Sequence, residues 1–145
     1  MGNGGAFEVD DTETPLLRIV YPARVSRRAI DAYVEALLEV GERGGPIWTL
    51  VDLRHLDLRG VEAPTRHYLA ERLDEAQDRY PAVVQAEACI SASLVVRMLY
   101  RTHLWVRRPQ PYPSRIFATE KAAREWLREC IARGPRDDGP FARPG

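Results

Sequence analysis

The sequence predicts one α/β domain: a mixed, mostly parallel sheet of about five strands with about four helices, in the order β-β-α-β-α-β-α-β-α. Three observations carry it. Short apolar runs alternate with stretches of helical periodicity along most of the chain. Pro46 to Leu53 (PIWTLVDL) is almost continuously apolar, as a central strand covered on both faces reads. Arg115 to Leu127 (RIFATEKAAREWL) passes from a short apolar strand into Thr119, a helix cap, and then sets Ala122, Ala123, Trp126 and Leu127 on one helical face.

The elements follow in order. Met1 to Gly5 is glycine-rich and expected to be a flexible leader to a domain spanning residues 6–133. Phe7 to Asp10 and Leu16 to Tyr21 read as a hairpin around Asp11 to Thr14, stopped by Pro22. Ser26 caps the first helix, with Val25 and Ile30 spaced as a hydrophobic staple. Ile30, Tyr33, Val34, Leu37 and Leu38 form its buried face, and Gly41 reads as its left-handed stop.

After the PIWTLVDL strand, Leu56 to Pro64 is a connection. Thr65 to Tyr80 is the second helix, with Leu69, Leu73, Ala76 and Tyr80 on one face and Pro81 ending it. Ala86 to Ile90 is the next strand. Leu94 to about Val106 reads as a third helix that buries Val95, Met98, Leu99, Thr102 and Val106. Pro109, Pro111 and Pro113 enforce an extended loop before the last strand, Arg115 to Ala118. Glu120 and Arg124 pair across one turn of the last helix, Gly134 stops it, and residues 134–145 read as a disordered tail.

Composition narrows the function classes. The formal net charge is zero over 145 residues, so no global field recruits nucleic acid or an anionic membrane. Lys121 is the sole lysine, and arginine stands at generic surface positions, as a GC-rich genome produces. Cys89 and Cys130 lie in apolar patterns and read as small buried hydrophobes. No apolar run approaches bilayer length and no secretory leader is visible, so a cytoplasmic location is the expectation. No Walker loop or GxGxxG occurs, and His55, His67, His103 and the cysteines lack ligand spacing, so neither cofactor nor metal is expected.

The hairpin into IVYP, the helix after Ser26, the strand TLVDLR, the alanine- and arginine-containing third helix and RIFATEKAAREWL together resemble the STAS-like superfamily. Its best-known members are bacterial anti-anti-sigma factors, and the likeness is greatest to small stand-alone bacterial domains related to lipid-binding ones. The resemblance runs from about Phe7 to Ile131 and implies a non-enzymatic regulatory domain that binds protein partners. It also allows a phosphoswitch in a sigma-factor or signalling pathway. Anti-anti-sigma factors place a phosphorylatable serine or threonine just after an aspartate, before the second helix. Here Asp52 and Asp57 are each followed by leucine, and Thr65 is the one hydroxyl in that region.

Two constellations remain as site candidates. Asp52, His55 and Asp57, with Thr65, gather at the C-terminal end of a central strand, where open α/β sheets place their sites. An Asp–His pair can orient a general base, but no nucleophile or oxyanion-hole motif accompanies it. The plainer reading is an aspartate that bonds loop amides beside a solvated His55. The second is the stretch from Ala88 to Thr119, which holds no acidic residue. Arg97, Arg101 and Arg108 fall along one helix face there, with Trp105 off the main apolar face. This patch suits an acidic protein partner, or a second copy of the chain, better than nucleic acid. Its plainer reading is a solvated face balanced by Glu71, Asp74, Glu75 and Asp78. The alternative to a protein-binding domain is a carrier of a small apolar or anionic ligand, in a cavity lined by Tyr33, Trp48 and Met98.

Overall fold

A computed structural model of the chain describes residues 5–101 and 108–142. Strands β1 (Glu8–Asp10), β2 (Leu16–Val20), β3 (Ile47–Asp52), β4 (Val84–Ile90) and β5 (Ser114–Phe117) form one sheet in the order β1-β2-β3-β4-β5. Only β1 runs antiparallel to its neighbour. Helices α1 (Arg27–Arg43), α2 (Ala63–Arg79), α3 (Leu94–Arg101) and α4 (Glu120–Arg133) complete the fold, with a short 3₁₀ turn at Leu58–Gly60 in the second connection. The α/β order matches the sequence expectation.

Strand alternation divides the core into two layers. On one face Leu17, Ile19, Val51 and Cys89 pack against Ile30, Tyr33 and Val34 of α1, Leu69 of α2 and Val96 of α3. On the other, Leu16, Trp48, Leu50, Ala86, Ala88 and Ile90 meet Ala123, Leu127 and Cys130 of α4. Cys89 and Cys130 are both buried, on opposite sides of the sheet. Leu50 and Leu127 are fully buried; burial of such a side chain contributes about 2 kcal/mol. Tyr33 and Trp48 therefore lie on opposite sides of the sheet, and Met98 is 55% exposed, so these three side chains do not come together around one cavity.

The caps form where the sequence sets them. Ser26 Oγ accepts from the Ala29 amide at 3.1 Å, and Thr119 Oγ1 from the Ala122 amide at 3.2 Å. The end of α1 is different. The left-handed residue is Gly44, at φ 80°, whereas Gly41 is buried inside the helix. A Cβ on Gly41 would lie 2.5 Å from Cδ2 of Tyr80, so glycine here lets α1 approach the end of α2. A second correction concerns α3. Among its residues with described burial Val96 is the buried one, while Leu94, Val95 and Met98 are 79%, 53% and 55% exposed. The sequence expectation put Val95 and Met98 inside. Thr102 and Val106 lie outside the described residues. Beyond α4, the Arg136 amide donates to Gln85 Oε1 at 2.7 Å and its guanidinium to the Pro81 carbonyl at 2.9 Å, which anchors the start of the C-terminal segment.

Candidate functional site

Asp52 ends β3 on the α4 face, and its side chain is 1% exposed. A carboxylate so deep must be paired. Its Oδ1 accepts from the amide and Nε of Arg54, both at 2.9 Å. Its Oδ2 accepts from Arg54 Nη2 at 2.7 Å and Arg18 Nη2 at 3.2 Å. The same two arginine nitrogens also donate to Glu120 Oε1, each at 2.9 Å. Glu120 Oε2 accepts from Arg124 Nε at 2.8 Å, and Arg124 reaches on to Glu13 at 2.8 and 3.3 Å. One chain of charges thus ties the β1–β2 turn, β2, the end of β3 and the first turn of α4.

The protonation states follow from that geometry. Burial pushes the Asp52 carboxyl up, but the hydrogen bonds and charges of Arg54 and Arg18 outweigh it and hold the group below its ordinary value. Hydrogen bonds from Arg18 and Arg124 lower Glu120 from 4.5 to about 2. Arg124 is raised, first by its hydrogen bond to Glu13 and then by that to Glu120. Asp52 is therefore a fixed anion whose two oxygens are both occupied, which suits a structural clasp and not proton transfer.

The other residues of the loop do not join it. His55 is exposed and makes no hydrogen bond to Asp52 or Asp57 among the described residues. Asp57 Oδ1 caps the 3₁₀ turn by accepting from the Arg59 amide at 3.0 Å. Thr65 is half-buried in the first turn of α2, behind Glu62 at the cap position, which makes no side-chain capping bond. Asp52, His55, Asp57 and Thr65 thus share one end of the sheet without forming a bonded site. No group of three or more His, Cys, Asp or Glu side chains is placed to hold a metal ion among the described residues.

At the same end of the sheet, β4 passes into α3 through Ser91, Ala92 and Ser93. Ser91 Oγ accepts from the Ser93 amide at 3.2 Å, and Ser93 Oγ from the Val96 amide at 3.3 Å. These serines start a helix that keeps only Val96 in the core among its residues with described burial and turns Leu94, Val95 and Met98 to solvent. Arg97 is half-buried, has no carboxylate partner among the described residues, and its buried Nε lacks an acceptor. Arg101 ends α3, and Trp105 lies outside the described residues. Arg108 is not on the helix. It lies in extended chain and turns to α2, pairing with Asp78 and donating to the Asp74 carbonyl at 3.1 Å. Sequence pattern assigns Val95 and Met98 to the buried face and does not single out Leu94. The signal was present, because LVVRML carries more apolar residues than one buried stripe uses.

The α1/α2 face also contains a cavity of about 330 Å³ between α2, the sheet and the chain at Arg108–Tyr112. Val51, Leu53, Leu69 and Leu73 supply apolar wall, with Arg66, Glu87 and Gln110 among the polar groups. None of these three polar residues was a site candidate from sequence, since they come together only when α2 is laid over the sheet.

Comparison with protein-family models gives no match, and comparison with curated protein sequences gives none either. Among solved structures, the chain is similar to an anti-sigma-factor antagonist (STAS) domain protein from Planctomyces limnophilus, with a TM-score of 0.51 and 17% sequence identity. The match covers 85% of this chain and 99% of that one. No helix among the described residues is long and apolar enough to cross a membrane. Strand order, helix placement and this structural likeness agree: the chain has a STAS-like fold.

Proposed function

We propose that this protein is a non-enzymatic regulatory domain that binds a protein partner through α3. The observation that carries the reading is the exposure of Leu94, Val95 and Met98 at 79%, 53% and 55% on a helix that, among its residues with described burial, gives Val96 alone to the core. Apolar side chains grouped in this way on an otherwise charged surface mark an interaction site. Arg97 stands among them with no carboxylate partner among the described residues, and the stretch from Ala88 to Thr119 contains no acid. The partner therefore presents apolar side chains ringed by Asp or Glu. Arg101, one turn further along, extends the same positive helix.

The Asp52 clasp offers no competing reading, because its charges are matched within the chain. The antagonist-domain description of the similar structure supports a protein-binding role. The test is co-purification of the tagged chain from its host, comparing the unaltered protein with Leu94→Glu plus Met98→Glu. Loss of a stoichiometric partner from a folded double variant supports the reading. Equal recovery of every partner overturns it. A second copy of the chain as the occupant would show as concentration-dependent dimerisation in sedimentation equilibrium.

A further inference from the structure

The cavity under α2 is polar at its two ends and apolar between them. Because β3 is followed by α2, the first turn of that helix stands at the C-terminal end of the strands and its later turns run back toward their N-terminal end. Arg66 occupies the first end. Its Nη1 donates to the Val61 carbonyl at 3.1 Å, and no carboxylate among the described residues pairs with it. Its charge faces a volume walled by Val51, Leu53, Leu69 and Leu73.

The far end presents acceptors. Gln110 Nε2 donates to Asp74 Oδ1 at 3.3 Å and to the Arg108 carbonyl at 2.9 Å. Both partners are acceptors, which fixes the orientation of the amide and leaves Oε1 buried without a donor. Glu87 projects from β4 beside it, with one oxygen accepting from Ser114 Oγ at 2.8 Å. Glu87 lines the cavity, and its carboxylate can accept from a bound group that donates. Asp74, which positions Gln110, is eight residues from Arg66 along α2 (74 − 66 = 8), a rise of about 12 Å.

We infer that this cavity binds a small amphiphile with a carboxylate at one end, an apolar body, and a hydroxyl or similar donor at the other. The carboxylate pairs with Arg66, the body lies on the leucines and valine, and the donor serves Glu87. The volume of about 330 Å³ is at the lower end of the range for small-molecule sites, so the ligand is compact or a medium-length chain.

The probes are 10-hydroxydecanoate, which carries both end groups at the required span, and 1,10-decanediol, which lacks the carboxylate. Titration calorimetry on the full chain should show saturable binding of 10-hydroxydecanoate, weakened about tenfold or more by Arg66→Gln. The same substitution should leave the diol unaffected. Amide chemical shifts of the unaltered protein should move at Arg66, Leu69, Ala70 and Glu87, which keeps the test independent of any variant's stability. Absence of saturable binding, shifts confined to other surfaces, or equal loss of both probes in a folded Arg66→Gln protein would overturn the assignment.

Discussion

Arg18 and Glu120 are 102 residues apart in sequence, and their side chains meet at 2.9 Å over the buried carboxylate of Asp52. This contact joins the second strand to the first turn of the last helix. With Arg54 it makes the charged end of the sheet a closed unit, so the C-terminal ends of the strands are tied to α4 by ion pairs.

Removing Asp52 should be strongly destabilising. Asp52→Ala leaves Arg18 and Arg54 facing each other over an empty site, a change that costs about 3 kcal/mol when the lost group is buried and its partners are partly exposed. Asp57→Ala removes one cap of a short 3₁₀ turn and should cost about 1 kcal/mol or less. Urea unfolding of the two variants checks the ranking.

Stability should fall in acid through the same unit. A carboxyl whose folded pKa lies below its unfolded value stabilises the fold above the unfolded value. That contribution disappears as pH drops toward the folded one. For Glu120 the window runs from 4.5 down to about 2, and Asp52 acts in the same direction. The urea midpoint should decline across this interval, and Glu120→Gln should flatten part of the decline.

Two neighbouring valines on α3 should behave oppositely. Val96→Ala empties core space at a residue 2% exposed and should cost about 2 kcal/mol. Val95→Ser changes a residue 53% exposed and should stay within about 0.5 kcal/mol. Chemical denaturation of the pair separates a surface helix face from a buried one. Equal costs would contradict the assigned helix orientation.

Gly41→Ala should destabilise the protein although alanine is the better helix former by about 1 kcal/mol. The added Cβ meets Tyr80 at Cδ2 and Cγ, at 2.5 and 2.7 Å, near the root of the ring, where the side chain has little room to yield. A net loss of about 1–2 kcal/mol is expected. In the Tyr80→Ala background the sign should reverse, which thermal melts of the four proteins in the cycle would show.

Much of the fold was legible because its signals are local. Ser26 and Thr119 cap as their positions imply, and Trp48 to Val51 form the doubly covered strand that the run of apolar residues indicates. The stop of α1 falls not at Gly41 but at Gly44, although the two glycines carry the same local signal. Only the packing of Tyr80 assigns the first to close approach and the second to positive φ. The buried face of α3 differs from the sequence expectation because LVVRML offers apolar residues in every direction, so periodicity alone does not say which meet the core. The clasp and the cavity join residues distant in sequence. Asp52 was visible as a strand-ending carboxylate, but its partners Arg18 and Glu120 were not.

The central claim is that the exposed half of α3 is where a partner protein docks, and site-specific photocrosslinking in host cells tests it most directly. A photoreactive residue in place of Val95 should give one discrete heavier adduct with an acidic protein, while the same residue in place of exposed Glu129 on α4 should give none. Adducts from Glu129 and none from Val95 would contradict the claim.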